Sequence, residues 1–496
     1  MNKVLFVTSE AYPLIKTGGL ADVSGSLPLA LTALGHDVRI LMPAYGDVLA
    51  ELENPHIVVR IKQANSLIEI AQAQLPGSTV PVWLVAQPGV FDRSGNPYLG
   101  ADGKPWADNA ERFALLARIA VEIGLNRVGF RWKPDVIHCN DWQTGLIPAL
   151  LEDEPGRPAT VFTIHNLAYQ GVFPKETFQR IGLPQRFWSC NSLEFYDQLC
   201  FMKGGLVYAD RINTVSPTYA REIQGDEFGC GMQGLLVQRG ERLSGILNGI
   251  DTGAWDPATD PLLPHPYSAG DLSGKALNQA ALRRRLGLDQ ASPDPVFATV
   301  GRMVQQKGID LVIDLLPELV RLPLQLVILG SGDKRYEQTL QQWAQLYPDR
   351  IAVTVGYDEE LSHWIEAGAD VFLMPSRFEP CGLNQMYSQR YGTVPIVRQV
   401  GGLADTVADA NATNRVCNTA SGIVFRDAVD SELLAAIQRA LDLFRQPAEW
   451  RKLQKAGMER DFSWHSSALQ YQELYALATA DRDRTGKNML ARSVSA

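Results

Sequence analysis

The sequence predicts an α/β protein built from two doubly wound parallel sheets. Apolar, strand-like runs alternate with amphipathic stretches along nearly the whole chain. Several of those runs are continuous rather than alternating, the pattern of strands covered on both faces. A strand-to-helix turn near the N-terminus, Gly18-Gly-Leu-Ala-Asp22, has an echo in the same context at Gly401-Gly-Leu-Ala-Asp405. At 496 residues the chain exceeds what one core supports, so two domains of roughly 200 residues or more are expected.

Each element follows from local pattern. In the first half the strand-like runs are 4–8, 37–42, 80–86, 135–139, 159–165 and 212–216; in the second they are 296–302, 324–329, 351–356, 370–374, 395–400 and 422–425. Helical periodicity marks 19–34, 109–123, 308–320 and 432–443. The segment 251–271 carries Pro257, Pro261, Pro264 and Pro266 with little periodicity, and is the best boundary region. The stretch 87–108, rich in Gly, Pro and Asp, has the look of a functional loop. From Asp481 no apolar period remains, so order is not expected there.

Composition narrows the function. Apolar residues make up 46% and charged ones 20%, an ordinary globular balance. A net charge of −9, without basic runs, argues against nucleic acid as a partner, so an anionic substrate must be held by a few local cations. No apolar stretch nears the roughly 18 residues of a transmembrane helix. The N-terminus enters a strand at once, leaving no room for a signal peptide. Six cysteines lie scattered without C-x-x-C pairs, which fits a reducing compartment and opposes a structural zinc site. A cytoplasmic protein that uses no membrane is expected.

The first strand runs into Lys16-Thr-Gly18-Gly19, a loop that opens a helix. Bare N–H groups at a helix start suit an anion, the glycines permit close approach, and Lys16 adds a point charge. A second reading makes the glycines serve only the bend. The spacing matches neither a P-loop nor a dinucleotide fingerprint. Other polar clusters also follow strands: Thr8-Ser-Glu10, His138-Cys-Asn-Asp141, His165-Asn166, Gly301-Arg302, Gly356-Tyr357 and Ser376-Arg-Phe-Glu379. Ligands of open α/β sheets sit at such strand ends, so a cleft between two domains is the expected site. Arg302 and Lys307, five apart across a strand-to-helix turn, could both reach one phosphate. Cations at a helix start oppose its dipole, which favours an anionic ligand as their reason.

Taken together, Lys16-Thr-Gly-Gly-Leu, His165-Asn-Leu-Ala-Tyr-Gln-Gly171, Asn248-Gly-Ile-Asp251, Gly301-Arg-x4-Lys307-Gly and Glu379-Pro-Cys-Gly-Leu383 resemble bacterial glycogen synthases and plant starch synthases. Those are retaining glucosyltransferases of GT-B architecture, and the similarity runs from the first strand to about Tyr475. The resemblance implies an acceptor-side Rossmann-like domain at 1–245 and a nucleotide-sugar domain at 246–458. It also implies a C-terminal helix at 459–480 packed back on the first domain, before a tail at 481–496. The implied activity is transfer of glucose from ADP-glucose to the non-reducing end of an α-1,4-glucan.

Glu379 is implied to hold the donor glucose, with Cys381, Gly382 and Leu383 helping to bind phosphate or sugar. Cys381 also reads as a small buried apolar residue. His165 and Asn166 are implied to lie against the donor sugar. For Asp141, acceptor positioning or stabilisation of developing positive charge stands beside a simple N-cap of the helix near Thr144. Further carry-overs are Asp22, Tyr98, Asn248 and Tyr357, while Asn384 receives no role. No carboxylate pair is assignable to a double displacement, so a front-face mechanism is preferred. No D-x-D or histidine cluster points to a metal, and no cofactor is expected. A UDP-glucose-dependent relative and an inactive glucan-binding homologue are the rival readings; oligomeric state is not legible.

Overall fold

The computed structural model describes all residues except Glu53, Ala64, Asn65, Ser94, Ala101, Ser495 and Ala496; the side chains of Ala50, Gln63 and 485–494 also lie outside the description. The chain forms two compact units: Met1–Gly249 with Trp464–Ala496, and Ile250–Ser463. These divisions fall within a few residues of the sequence-based boundaries, and the first opens the Pro-rich segment.

The first unit is organised on a sheet of nine strands: β1 (Lys3–Val7), β2 (Asp37–Pro43), β3 (His56–Gln63), β4 (Ser66–Gln74), β5 (Pro81–Ala86), β6 (Val136–Asn140), β7 (Ala159–Ile164), β11 (Arg211–Thr214) and β12 (Leu243–Gly245). A small separate sheet comprises β8 (Val172–Phe173), β9 (Glu194–Phe195) and β10 (Gln198–Cys200). The large sheet has the order β12-β11-β7-β6-β1-β2-β5-β4-β3. Seven of its strands run parallel, from β12 to β5. Strands β4 and β3 are antiparallel, so the all-parallel expectation is corrected at this edge. β4 intersperses buried residues with more open ones, β3 has no buried residue among those described, and neither carries the continuous apolar run that marks a central strand.

The last helix, Trp464–Val494, packs on this sheet. Trp464, Ala468, Tyr471, Leu474, Tyr475 and Ala478 share one core with Val4, Phe6, Val136 and Val161. Two buried polar bonds fix its register. His138 Nδ1 meets the Tyr475 hydroxyl at 2.9 Å, and Asn213 Nδ2 donates to the Tyr471 hydroxyl at 3.0 Å. The helix is continuous through Val494, in contrast with the order expected to end at Asp481; Ser495 and Ala496 lie outside the described residues. Asp481 itself is buried against Arg211 at 2.7 Å.

The second unit holds β13 (Val296–Val300), β14 (Gln325–Gly330), β15 (Ile351–Val355), β16 (Val371–Met374), β17 (Val394–Arg398) and β18 (Ile423–Phe425), all parallel, in the order β15-β14-β13-β16-β17-β18. Counted from its own first strand this is 3-2-1-4-5-6, the doubly wound Rossmann order. The helix expected over 308–320 is split into Ile309–Asp314 and Leu316–Leu319. Pro317 lies in the first turn of the second piece, where it has no N–H to continue the first.

In the parallel part of each sheet the strand order reverses at one place, between β1 and β6 and between β13 and β16. Crevices beyond the carboxyl ends of such strands are where α/β sheets bind ligands. Four of the six polar clusters found in the sequence follow these four strands, while His165-Asn166 follows β7 and Gly356-Tyr357 follows β15.

Candidate functional site

Beyond β1, Glu10 organises the first cluster. Its carboxylate is 3% exposed and accepts from Thr17 N–H at 2.6 Å, Thr17 Oγ1 at 2.9 Å, Gly18 N–H at 3.3 Å and the Tyr98 hydroxyl at 2.8 Å. The Tyr98 hydroxyl also meets Ser9 Oγ at 2.7 Å. One buried carboxylate therefore joins the end of β1, the glycine loop and the 87–108 loop. Gly18 and Gly19 are exposed at the start of the helix Gly19–Ala33, and a Cβ on Gly18 would meet nothing within 4 Å. Lys16 pairs with Asp22 at 2.7 Å on the exposed face of this loop.

Beyond β6, Asp141 sits at φ 57° and ψ −178°, a backbone region that is costly for any residue but glycine. Its Oδ1 accepts from His165 N–H at 2.9 Å and Asn166 N–H at 3.4 Å. The turn Trp142–Thr144 receives no side-chain cap from it, so the capping alternative for Asp141 is set aside. Instead the residue clamps the start of the loop beyond β7. Burial pushes its carboxyl up to about 7, with Glu10 adding to the rise and the two backbone donors opposing it.

Burial lowers the His165 imidazole to about 3, so the ring is neutral near pH 7. His165 Nε2 lies 3.0 Å from Asn140 Oδ1. The Asn140 amide nitrogen is committed to the Val7 carbonyl at 3.0 Å, so its oxygen must face the ring and Nε2 carries the proton. That leaves Nδ1 as the ring's acceptor and removes Nε2 as a base. Asn166 Oδ1 accepts from Ala168 N–H at 3.1 Å, an Asx turn that shapes the loop. Asn248, 7% exposed, has a buried side-chain oxygen with no hydrogen-bond partner.

In the second unit, Lys307 and Glu379 meet. Lys307 Nζ stands 2.5 Å from Glu379 Oε2, and Ser376 Oγ donates to the same oxygen at 3.1 Å. Glu379 is 5% exposed while the lysine is more open, so the ion pair has one dry and one wet end. Arg302 is exposed beyond β13 and donates to Gln306 Oε1 at 3.3 Å; the Gln306 carbonyl in turn accepts from Arg377 N–H at 2.8 Å. Asn384, to which the sequence gives no role, ties the two segments together: its Nδ2 donates to the Val300 carbonyl at 2.7 Å, next to the Gly301-Arg302 turn.

The backbone around Glu379 is crowded. Gly402 N–H donates to the carbonyls of Glu379 at 3.2 Å and Pro380 at 3.1 Å. Gly382 adopts φ 73°, and the carbonyls of Cys381 and Gly382 accept from Gln385 Nε2 at 3.1 and 2.9 Å. Cys381 is 4% exposed and Leu383 half-buried. Tyr357, 78% exposed beyond β15, offers its hydroxyl to Glu359 at 3.3 Å. A cavity of about 580 Å³ in this unit, lined by residues such as Ile250, Arg390, Arg460 and Phe462, includes none of the candidate residues. Among the described residues no group of three His, Cys, Asp or Glu side chains could hold a metal ion, and no helix is long and apolar enough to cross a membrane.

Within each unit the structure thus gathers the sequence candidates at strand ends. Reading the sequence alone left Glu10, Asn140, Ser376 and Asn384 without roles. Their only local signal is a polar residue just past a strand or at a helix start, and their partners are far along the chain.

The starch synthase catalytic domain family matches residues 3–238, and the glycosyl transferases group 1 family matches 283–456. Glycogen synthase 1 of Methylococcus capsulatus is 62% identical over 96% of this chain and 97% of its own length. The chain belongs to the glycogen and starch synthase family. The glycogen synthase of Cellvibrio japonicus is 54% identical over 96% of this chain and 99% of its own. The catalytic domain of starch synthase IV from Arabidopsis thaliana, solved with ADP and acarbose, superposes with a TM-score of 0.87 at 32% identity, covering 97% and 99% of the two chains. The fold is accordingly that of a family of GT-B glucosyltransferases.

Proposed function

We propose that this member of the glycogen and starch synthase family transfers glucose from ADP-glucose to the non-reducing end of an α-1,4-glucan, with retention of configuration. The supporting observation is the Lys307–Glu379 pair at the switch point of the second unit, with Arg302 on the same turn as the lysine. In the reaction the bond from the anomeric carbon to the diphosphate breaks, and negative charge gathers on the departing ADP. Arg302 and Lys307 are positioned by the chain to meet that charge, and electrostatic stabilisation of this kind is the largest catalytic term expected. Each cation is worth on the order of 3 kcal/mol of transition-state stabilisation, or about 10²-fold in rate.

Glu379, held by Lys307 and Ser376, takes the hydroxyls of the donor glucose. The backbone carbonyl and neutral ring of His165 lie beside the anomeric centre, where an uncharged neighbour does not repel an oxocarbenium. Asp141 adds a carboxyl close to neutrality in protonation, suited to the acceptor hydroxyl. Lys16, Gly18, Gly19 and Asp22 form a second anion-tolerant rim; Tyr98, Asn166, Asn248 and Tyr357 complete the substrate contacts, as do Cys381, Gly382 and Leu383. The acceptor oxygen attacks from the face the diphosphate leaves, and the departing phosphate takes its proton, so the configuration is retained. The charge is met by Arg302 and Lys307 without a metal, and the enzyme acts in the cytoplasm.

Incubation with ADP-glucose or UDP-glucose and glycogen, reading ADP or UDP release and glucan elongation, tests the assignment. ADP release with elongation, lost about 10²-fold in Lys307→Ala, is the expected result. Preference for UDP-glucose would replace the donor, and glucan binding without nucleotide release would make the protein a binding homologue. Turnover undiminished by EDTA is expected.

A further inference from the structure

Glu10 stands outside every role given above, yet it is the most heavily committed carboxylate of the first unit. Five donor contacts converge on it from two separate loops: Thr17 N–H at 2.6 Å, Thr17 Oγ1 at 2.9 and 3.0 Å, Gly18 N–H at 3.3 Å and the Tyr98 hydroxyl at 2.8 Å. Among the described residues no Lys, Arg or His forms an ion pair with it, so neutral dipoles alone compensate its charge. An ionised carboxylate is acceptor-only, which all five contacts require. Its Oε2 takes both backbone N–H groups of the glycine loop, while its Oε1 takes the Tyr98 hydroxyl. With the tyrosine proton so directed, Ser9 Oγ must be the donor in its 2.7 Å contact with Tyr98.

We propose that Glu10 is a positioning residue: its carboxylate latches the Tyr98 loop to the Lys16–Gly19 loop and so presents Lys16, the exposed Gly18–Gly19 backbone and Tyr98 to substrate as one rigid unit. This rests on the reading that these loops bind substrate. Two loops share Glu10 as a common anchor, which stands 88 residues from Tyr98, so ordering one favours order in the other. The 87–108 loop is itself secured from behind by Arg112, 1% exposed, which donates to the carbonyls of Val90 and Pro97 at 3.0 and 2.9 Å. The Tyr98 carbonyl accepts from Asn109 Nδ2 and Trp106 N–H, each at 3.0 Å, so it is the Tyr98 hydroxyl that depends on Glu10.

The latch depends on ionisation. Burial raises the carboxyl from its ordinary range, and the hydrogen bonds from Thr17, Tyr98 and Gly18 pull it back in part. The other titratable groups facing it are Tyr98 from the 87–108 loop, Tyr45 beyond β2 with Arg112 behind it, and Asp141 beyond β6; Lys16 and Asp22, on the loop it holds, are paired with each other. Both tyrosines are held far above neutrality, so they stay protonated, and Tyr98 serves as a donor to Glu10. As pH falls through the raised carboxyl value, Glu10 gains a proton: on Oε2 it confronts two N–H donors, and on Oε1 it must be given to Tyr98, whose hydroxyl then turns to Ser9, so the latch weakens.

The test compares Glu10→Gln with wild type. Glutamine keeps the shape, but its NH2 cannot accept: turned to the glycine loop it faces two N–H donors, and turned to Tyr98 it forces that hydroxyl to reverse and give its proton to Ser9. The expected result is a loss in kcat/KM for ADP-glucose of about 10- to 100-fold, and disappearance of the acid limb that the wild type shows in its kcat/KM profile. Hydrogen exchange should accelerate in peptides carrying Thr17 and Gly18 and in the one carrying Tyr98, with the thermal midpoint of the whole protein little changed. Tyr98→Phe cuts only the link between loops and should give a smaller loss, non-additive with Glu10→Gln. An unchanged acid limb, additive losses, or exchange unchanged in both peptides would overturn the latch. The exchange experiment needs no turnover, so a wild type inactive on every donor would refute the proposed function while leaving the latch to be decided by exchange.

Discussion

The two copies of Gly-Gly-Leu-Ala-Asp are alike in sequence and opposite in environment. In the first unit Gly18 is extended at φ −162° and ψ −167°, open to solvent, and leads a helix of 15 residues. In the second, Gly401 is buried at φ 46°, and an added Cβ would stand 1.9 Å from the Glu379 carbonyl oxygen. Its neighbour Gly402 would bring a Cβ to 2.2 Å from the Cys381 carbonyl. One copy leaves its backbone open to solvent; the other lets two segments pack closely beside Glu379. A repeated motif here repeats a turn, and its surroundings decide the use.

The largest effect that would test this contrast comes from Gly401→Ala. A left-handed backbone and an impossible Cβ contact should cost about 2–4 kcal/mol of stability and lower kcat at least about 10²-fold by shifting Glu379. Denaturant midpoints and steady-state rates measure the two losses. Next is Lys307→Ala, expected to reduce kcat by about 10²-fold. It also strands the Glu379 carboxylate, which is 5% exposed, so stability should fall by about 1–3 kcal/mol.

Asp141→Asn should act through pH. The carboxyl rises from its ordinary 3.8 to about 7, so the folded state holds a proton that the unfolded chain has lost between those values. Wild-type stability therefore declines as pH rises through that window, and the full cost of the buried charge is present above pH 7. Asparagine can still accept from His165 N–H without that charge. The variant should match wild type near pH 4 and exceed it in thermal midpoint at pH 8, while losing activity. An advantage that stays constant with pH would sink this account.

The smallest effect is expected from Gly18→Ala. An alanine fits its extended backbone and open surroundings, so stability should change by less than about 1 kcal/mol while the donor KM rises several-fold. Equal losses in Gly18→Ala and Gly401→Ala would erase the distinction between the copies.

Much of the fold was legible in the sequence because parallel strands buried on both faces leave continuous apolar runs. The edge hairpin β3–β4 escaped because a half-exposed strand pattern is weaker, and β8, β9 and β10 are too short to leave any period. For the site, residue type and spacing singled out Lys16, Arg302 and Lys307, since cations and glycines at strand ends suit phosphate chemistry; the role expected of Glu379 came from the resemblance of Glu379-Pro-Cys-Gly-Leu383 to the family motif. Spacing gave no hint that Asp141 holds the His165 backbone, that Asn140 sets the His165 tautomer, or that Glu10 meets Tyr98.

By itself, then, the order of amino acids determined the alternating α/β plan, the two units and the chemistry their rims can offer. Those follow from local burial periods and side-chain type, which a chain carries wherever it goes. Only the tertiary structure decided which glycine pair stays open, which carboxylates are dry, and which distant loops share an anchor. Burial and hydrogen-bond partnership are properties of neighbours in space, and the 88 residues between Glu10 and Tyr98 hide theirs from any linear pattern.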